Sequence, residues 1–62
     1  MEHGVITILN RVSGNGFIKY GNMVIKFELR ETVGKLYTYN AVSFEIKHDY
    51  LETKAVKVRK IA

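Results

Sequence analysis

Aromatic, basic and amide side chains alternate between Asn15 and Lys26, and this pattern is the strongest chemical signal in the chain. Asn15, Phe17 and Lys19 share one face of a predicted strand, because side chains of a strand point alternately to its two sides. Val24 and Lys26 share the corresponding face of the next strand. An exposed ring stacks on a base for about 1–3 kcal/mol, and lysines neutralise phosphates. The pattern predicts a binding platform for single-stranded nucleic acid.

Residues suited to catalysis or metal binding are too scattered to form a site. His3 lies near the start of the chain, and His48 and Asp49 are adjacent in a predicted turn. A zinc site needs three or four ligands. Ser13 and Ser43 lack the sequence context of a nucleophile. We therefore expect no enzyme activity, no metal and no cofactor.

Length and charge limit the remaining classes. The chain has 62 residues, enough for a single domain spanning 1–62, with 47% apolar residues and no cysteine. Ten Lys and Arg against six Asp and Glu give a net charge of +4, which favours an anionic partner. No run approaches the roughly 20 apolar residues of a membrane span, and the first residues lack a signal-peptide core. The prediction is a cytoplasmic protein that does not bind membranes.

The chain divides into short β-branched runs separated by turns. The predicted strands are 5–9, 17–20, 23–27, 42–47 and 53–61, with Val56 and Val58 facing inward in the last one. Gly21-Asn22 suits a two-residue hairpin turn. Residues 28–33 could form one helical turn that ends at Gly34, followed by a loop over 35–40 and a turn over 48–52.

Two interpretations of the segment around Asn15 stay open. Asn15-Gly16 is a good type I′ hairpin pair, which would end the first strand late and start the second at Phe17. Alternatively, the turn lies near Arg11 to Gly14, and Asn15 is already part of the second strand. Only the second arrangement places Asn15 on the platform.

Five strands in so short a chain favour closure into a barrel, because closure removes free sheet edges. We predict an all-β fold: a small five-stranded antiparallel Greek-key barrel of the OB type. The expected core consists of Ile6, Leu9, Ile18, Met23, Ile25, Val42, Phe44, Ile46, Val56 and Val58.

The order of these segments resembles the cold-shock domain family over nearly the whole chain. Residues 14–18, Gly-Asn-Gly-Phe-Ile, resemble the family's first ribonucleoprotein motif, Lys-Gly-Phe-Gly-Phe-Ile. Residues 23–27, Met-Val-Ile-Lys-Phe, resemble the second, Val-Phe-Val-His-Phe. Residues 4–10 are similar to the opening strand, and residues 42–46 and 55–58 to the last two strands. The resemblance implies an OB barrel that holds single strands unpaired, as an RNA chaperone.

Several positions depart from the family where its ligand lies. Ile8 stands at the usual tryptophan, Asn15 at the first aromatic of the glycine motif, and Val24 at the phenylalanine of the second motif. Lys26 replaces a histidine, whereas Phe17 and Phe27 keep an aromatic ring. Fewer stacking rings predict weak binding with little sequence preference.

The first hypothesis is therefore a binding protein for single-stranded RNA or DNA. In it, Phe17 and Phe27 stack on bases, Lys19, Lys26 and Arg11 contact phosphates, and Ile8 and Val24 form an apolar floor. Thr7, Asn10 and Asn15 are candidates for hydrogen bonds to base edges. Further contacts are expected from Arg30, Lys35, Tyr37 and Tyr39, the two tyrosines sharing a face if their loop is extended.

The alternative hypothesis belongs to another class. Ile8, Phe17, Val24 and Phe27 together would make an exposed aliphatic and aromatic patch, and patches of this kind often mark protein interfaces. The chain would then bind a protein partner, or a second copy of itself, without binding nucleic acid.

Overall fold

The computed structural model describes residues 1–61, and about two thirds of them lie in β-strands. The strands are β1 (Glu2–Asn10), β2 (Asn15–Tyr20), β3 (Met23–Glu28), β4 (Thr32–Val33), β5 (Ala41–His48) and β6 (Thr53–Lys60). A 3-10 turn, Leu29–Glu31, replaces the predicted helical turn. Because β4 has only two residues, the five longer strands define the architecture. The predicted all-β class is confirmed, and no helix within residues 1–61 is long and apolar enough to cross a membrane.

The five long strands close into a small barrel compatible with an OB-like fold. Around the barrel the order is β1, β2, β3, β6, β5 and back to β1. The closing pair, β3 with β6, is parallel and joins Lys26 to Lys54 and Phe27 to Ala55 in register. β4 also runs parallel to β6. The expectation of a purely antiparallel barrel was therefore wrong at this closure, although the other long-strand pairs are antiparallel.

The turn between β1 and β2 decides between the two interpretations of Asn15. The Gly14 N–H donates to the Asn10 carbonyl at 2.9 Å, and Gly14 has a φ of +78°, which glycine adopts without strain. The Asn10 side-chain oxygen accepts from the backbone N–H groups of Val12 and Ser13 at 3.0 and 3.1 Å. Asn15 is consequently the first residue of β2 rather than part of the turn.

The core holds nine buried side chains from every long strand and from one loop. They are Ile6, Ile18, Ile25, Phe27, Leu36, Val42, Phe44, Ala55 and Val58. Leu9 and Ile46, also expected in the core, pack against its margin. Met23 was wrongly placed there: it is the first residue of β3 and is mostly exposed. Leu36 escaped prediction because it lies in a loop, where no alternation marks the inward side.

A bulge in β6 corrects the predicted orientation of Val56. Lys57 has a φ of +53°, and the register with β5 slips by one residue at this point. The extra residue reverses the alternation, so Ala55 and Val58 face the core while Val56 is only half-buried. Bulges in this left-handed conformation usually carry glycine, so a lysine at this position did not predict a bulge.

Gly16 allows β1 and β2 to approach closely above the core. A Cβ at this position would collide with the Ile8 carbonyl oxygen and lie 2.9 Å from the ring of Phe27. The neighbouring atoms are backbone and a buried ring, neither of which can move easily. We therefore expect Gly16→Ala to lower the free energy of unfolding by about 1–3 kcal/mol through overpacking. Urea denaturation measures it. Gly14→Asn is the control: no atom would crowd the new side chain, only the left-handed φ opposes it, and asparagine tolerates that φ better than most residues, so it should cost less than Gly16→Ala. A Gly16→Ala protein as stable as wild type would contradict the packing described.

Lys57 gives a second stability prediction. The left-handed conformation costs an L-residue about 1–2 kcal/mol, a cost that glycine avoids. Lys57→Gly and Lys57→Ala both remove the exposed contact with Glu45, 3.8 Å between Nζ and Oε2. Only glycine also removes the backbone strain, so Lys57→Gly should unfold at a higher urea concentration than Lys57→Ala. Equal midpoints would show that residue 57 is not left-handed in solution.

Candidate nucleic-acid interface

A bulge in β1 positions the apolar part of the site. Ile6 pairs with Ile18 and Ile8 pairs with Phe17, so Thr7 is one residue more than β2 can match. The extra residue reverses the alternation. Ile6 therefore points into the core, and Ile8, two residues later, lies on the outer face beside Phe17.

Three rows of side chains cross the outer surface of β1, β2 and β3, here called the β1–β2–β3 face. The register gives the rows as Val5–Lys19–Val24, Ile8–Phe17–Lys26 and Asn10–Asn15–Glu28. The predicted residues Ile8, Asn10, Asn15, Phe17, Lys19, Val24 and Lys26 are thus brought together on one surface. Val5 belongs to it as well and was missed, although alternation with the buried Ile6 already turns it outward.

Phe17 occupies the centre of this face. Its side chain is 38% exposed, and its row neighbour Ile8 and diagonal neighbour Val24 are 56% and 61% exposed. A ring that is partly embedded and partly open is held in place while one surface stays available for stacking. Lys19 and Lys26 lie beside the ring on β2 and β3 and supply positive charge.

Phe27 cannot play the stacking role predicted for it. Its side chain is fully buried beneath Gly16 and opposite Ala55. The alternation of β3 places Ile25 and Phe27 inside, and Val24 and Lys26 outside. Phe17 is consequently the only aromatic residue in the three rows.

The polar candidates on β1 and β2 are partly committed to local structure. The Thr7 hydroxyl donates to the Phe17 carbonyl at 3.4 Å. The Asn10 side-chain oxygen is held by the β1–β2 turn, and that of Asn15 accepts from the Ser13 hydroxyl at 3.0 Å. The amide NH₂ groups of Asn10 and Asn15 make no hydrogen bond within residues 1–61, so both can donate to a ligand.

Two cations converge on one ring in the loop beside β1. Arg11 donates from Nη2 to the Leu36 carbonyl, and its Cζ lies 5.2 Å from the centroid of the Tyr37 ring. The Nζ of Lys35 lies 5.7 Å from the same centroid. Cations at these distances are attracted by the ring's negative faces. Arg11, Lys35 and Tyr37 thus form one cluster, in which the Tyr37 ring contacts two cations.

The loop that carries the tyrosines is folded, not extended. The Tyr37 N–H donates to the Asn40 side-chain oxygen at 3.0 Å, and the Asn40 N–H donates back to the Tyr37 carbonyl at 3.1 Å. Tyr39 has a φ of +72°, and its N–H donates to the Ile6 carbonyl at 2.7 Å. The two tyrosines therefore do not share a face in the way that an extended loop requires. Both rings remain exposed.

Arg30 is engaged by an acid at the edge of the face. The Glu28 carboxylate forms two ion pairs, with the Nη2 of Arg30 at 3.3 Å and the Nζ of Lys54 at 3.1 Å. The hydrogen bond from Lys54, assisted by the charge of Arg30, holds the pKa of Glu28 below its ordinary value despite partial desolvation. The same bond raises the pKa of Lys54. Lys54 was not foreseen here, because its position depends on the parallel closure of β3 against β6.

Other surface features within residues 1–61 offer less chemistry. No group of three or more His, Asp or Glu side chains could hold a metal ion there. A shallow open groove of about 360 Å³ lies over β5 and β6, away from Phe17. It is lined by Glu31, Glu45, Ile46, Lys47, Val56 and Lys57.

In comparisons with known proteins, the chain matches no family model and no curated protein. The geometry of the face therefore carries the functional argument.

The pKa shift of Glu28 predicts how acid affects stability. Its folded pKa is lower than its unfolded pKa of about 4.3. The ionised group therefore stabilises the fold above that pH, and the contribution is lost as pH falls through the lower folded pKa. Thermal unfolding between about pH 6 and pH 2.5 measures the effect. Glu28→Gln should flatten the acid limb of the curve. Glu52→Gln, at an exposed turn residue, is the control and should keep the wild-type curve. An unchanged acid limb in Glu28→Gln would contradict the ion-pair assignment.

Proposed function

We propose that the β1–β2–β3 face binds single-stranded nucleic acid, weakly and with little sequence preference. The observation that carries the proposal is the Phe17 ring, held on an open sheet surface with lysines beside it. Exposed rings bind bases without regard to sequence, since every base has a flat π surface. Lys19 and Lys26 would neutralise the phosphates, and Ile8 and Val24 would support the bases as apolar floor.

The supporting charges surround the face on two sides. Lys26 and Lys54 lie at its β3 edge, whereas Arg11 and Lys35 gather around Tyr37 in the loop next to β1. The acid at the third row, Glu28, is neutralised by Lys54 and Arg30. A single-stranded nucleic acid stacked on Phe17 would therefore meet positive charge on both sides of the ring.

The resemblance to the cold-shock family supports the same function. The OB-like order of the strands agrees with it, and so does the turn that leaves Asn15 inside β2. The resemblance implies an RNA chaperone that holds strands unpaired without a cofactor. Because one ring remains in the three rows where the family presents several, we expect weaker binding than is usual for such a domain.

Fluorescence anisotropy with labelled oligo(dT) and oligo(U) tests the proposal. We expect affinity to fall with salt, with a slope of log K against log salt near −2 to −3 if three or four phosphates are neutralised. Phe17→Ala removes a stacking contact worth about 1–3 kcal/mol, a loss of about 5- to 150-fold. Val33→Ala truncates an apolar residue on β4 that is more exposed than Phe17, 54% against 38%, and should leave affinity unchanged. No binding at low salt, or equal binding by Phe17→Ala, would overturn the proposal.

A protein interface is the second candidate function, favoured by the exposed aliphatic side chains of the face. Val5, Ile8 and Val24 are each at least 39% exposed and lie around Phe17. A second copy of the chain could cover them. Sedimentation equilibrium then detects a dimer that Ile8→Lys disrupts, while wild type fails to bind oligonucleotides. A monomer at high protein concentration would exclude self-association through this face.

A further inference from the structure

Three lysines lie directly opposite one another across three neighbouring strands. Lys26 on β3 pairs with Lys54 on β6, and Lys54 pairs with Lys47 on β5. The next residues in register, Phe27 and Ala55, are buried in the core, so the lysines point outward. These three residues are here called the lysine row.

The lysine row is unfavourable for the protein alone. Like charges directly opposite each other on a sheet destabilise it. Glu28 pairs with Lys54 at 3.1 Å and the charge of Asp49 also acts on Lys54, whereas Lys26 and Lys47 have no carboxylate within salt-bridge distance in residues 1–61. The three lysines and Arg30, with Glu28 and Asp49, leave a local charge of +2. A bound polyanion would remove this repulsion.

The lysine row continues the central row of the binding face. Ile8, Phe17 and Lys26 are in register, and Lys54 and Lys47 follow on the next two strands. With neighbouring strands about 4.8 Å apart, Lys47 lies about 14 Å beyond Phe17 along the curved surface. The path leads across the closure of the barrel onto β5, outside the β1–β2–β3 face.

We propose that the lysine row is a phosphate track, which leads a single strand from Phe17 across the β3–β6 closure to β5. The inference rests on the proposed function for the identity of the polyanion. The track adds two features to the proposed function: the nucleic acid leaves Phe17 in the direction of β5, and the bound stretch is longer than the β1–β2–β3 face. Lys47 becomes a ligand contact that the stacking platform alone does not require, whereas Lys54, bonded to Glu28 with its side chain 15% exposed, adds positive charge between Lys26 and Lys47.

Oligonucleotides of two lengths test the track. A nonamer of dT spans from Phe17 to Lys47, whereas a dT dinucleotide has a single phosphodiester, which stays next to the ring. Lys47→Gln should reduce the salt slope for the nonamer by about 0.7, the loss of one phosphate contact on a single strand, and leave binding of the dinucleotide unchanged. Lys60→Gln removes the same charge from an exposed lysine at the far end of β6 and should affect neither oligonucleotide. Equal effects of the two substitutions, or none from Lys47→Gln, would overturn the track.

A base-free probe separates this inference from the proposed function. Inorganic polyphosphate offers phosphates without bases, so the track predicts binding that Lys47→Gln weakens and Phe17→Ala leaves intact. If wild type binds no oligonucleotide but binds polyphosphate in this way, the proposed function fails and the track stands as a polyanion site. If polyphosphate binding is equally weakened by Lys47→Gln and Lys60→Gln, only net charge acts, and the track fails whatever the oligonucleotides do.

Discussion

The extra residue in β1 is the constraint on which both the core and the site depend. Because Thr7 has no partner on β2, Ile6 is buried and Ile8 exposed, although an even strand would put both on one side. With a regular β1, Ile8 would compete with the core for space, and Phe17 would lose its neighbour on the outer face. The bulge therefore lets one strand of apolar residues supply both the barrel interior and part of the proposed binding surface.

Closure of the barrel depends on the short pairing of β3 with β6, whose inner and outer surfaces differ in character. β3 and β6 share two residue pairs, of which Phe27 with Ala55 lies inside and Lys26 with Lys54 lies outside. The inner pair contributes apolar burial, while the outer pair brings like charges together and is only partly neutralised by Glu28. In so small a domain, stability is a narrow balance. The repulsion at the closure is the feature that binding of an anion would most directly relieve.

Local pattern was enough to predict the five long strands, the Gly21-Asn22 turn and most of the core, because β-branched runs and turn residues act over short distances; the short β4 was missed. It failed where a single residue changes the alternation or where distant strands meet. The bulge at Lys57 carries no glycine to reveal it, so Val56 was turned the wrong way. Phe27 was placed on the surface by resemblance, against the alternation of its own strand. The proximity of Lys26, Lys54 and Lys47 follows from a parallel closure that no local pattern indicates.

Mapping a bound oligonucleotide on the protein by NMR tests the central claim most directly, since amide chemical shifts of ¹⁵N-labelled protein report where the ligand lies. Titration with oligo(U) should move the resonances of Ile8, Phe17, Lys19 and Lys26 most, and leave those of Val33 and Lys60 in place. Shifts confined to residues outside the β1–β2–β3 face and the lysine row, or no shifts at low salt, would contradict the account.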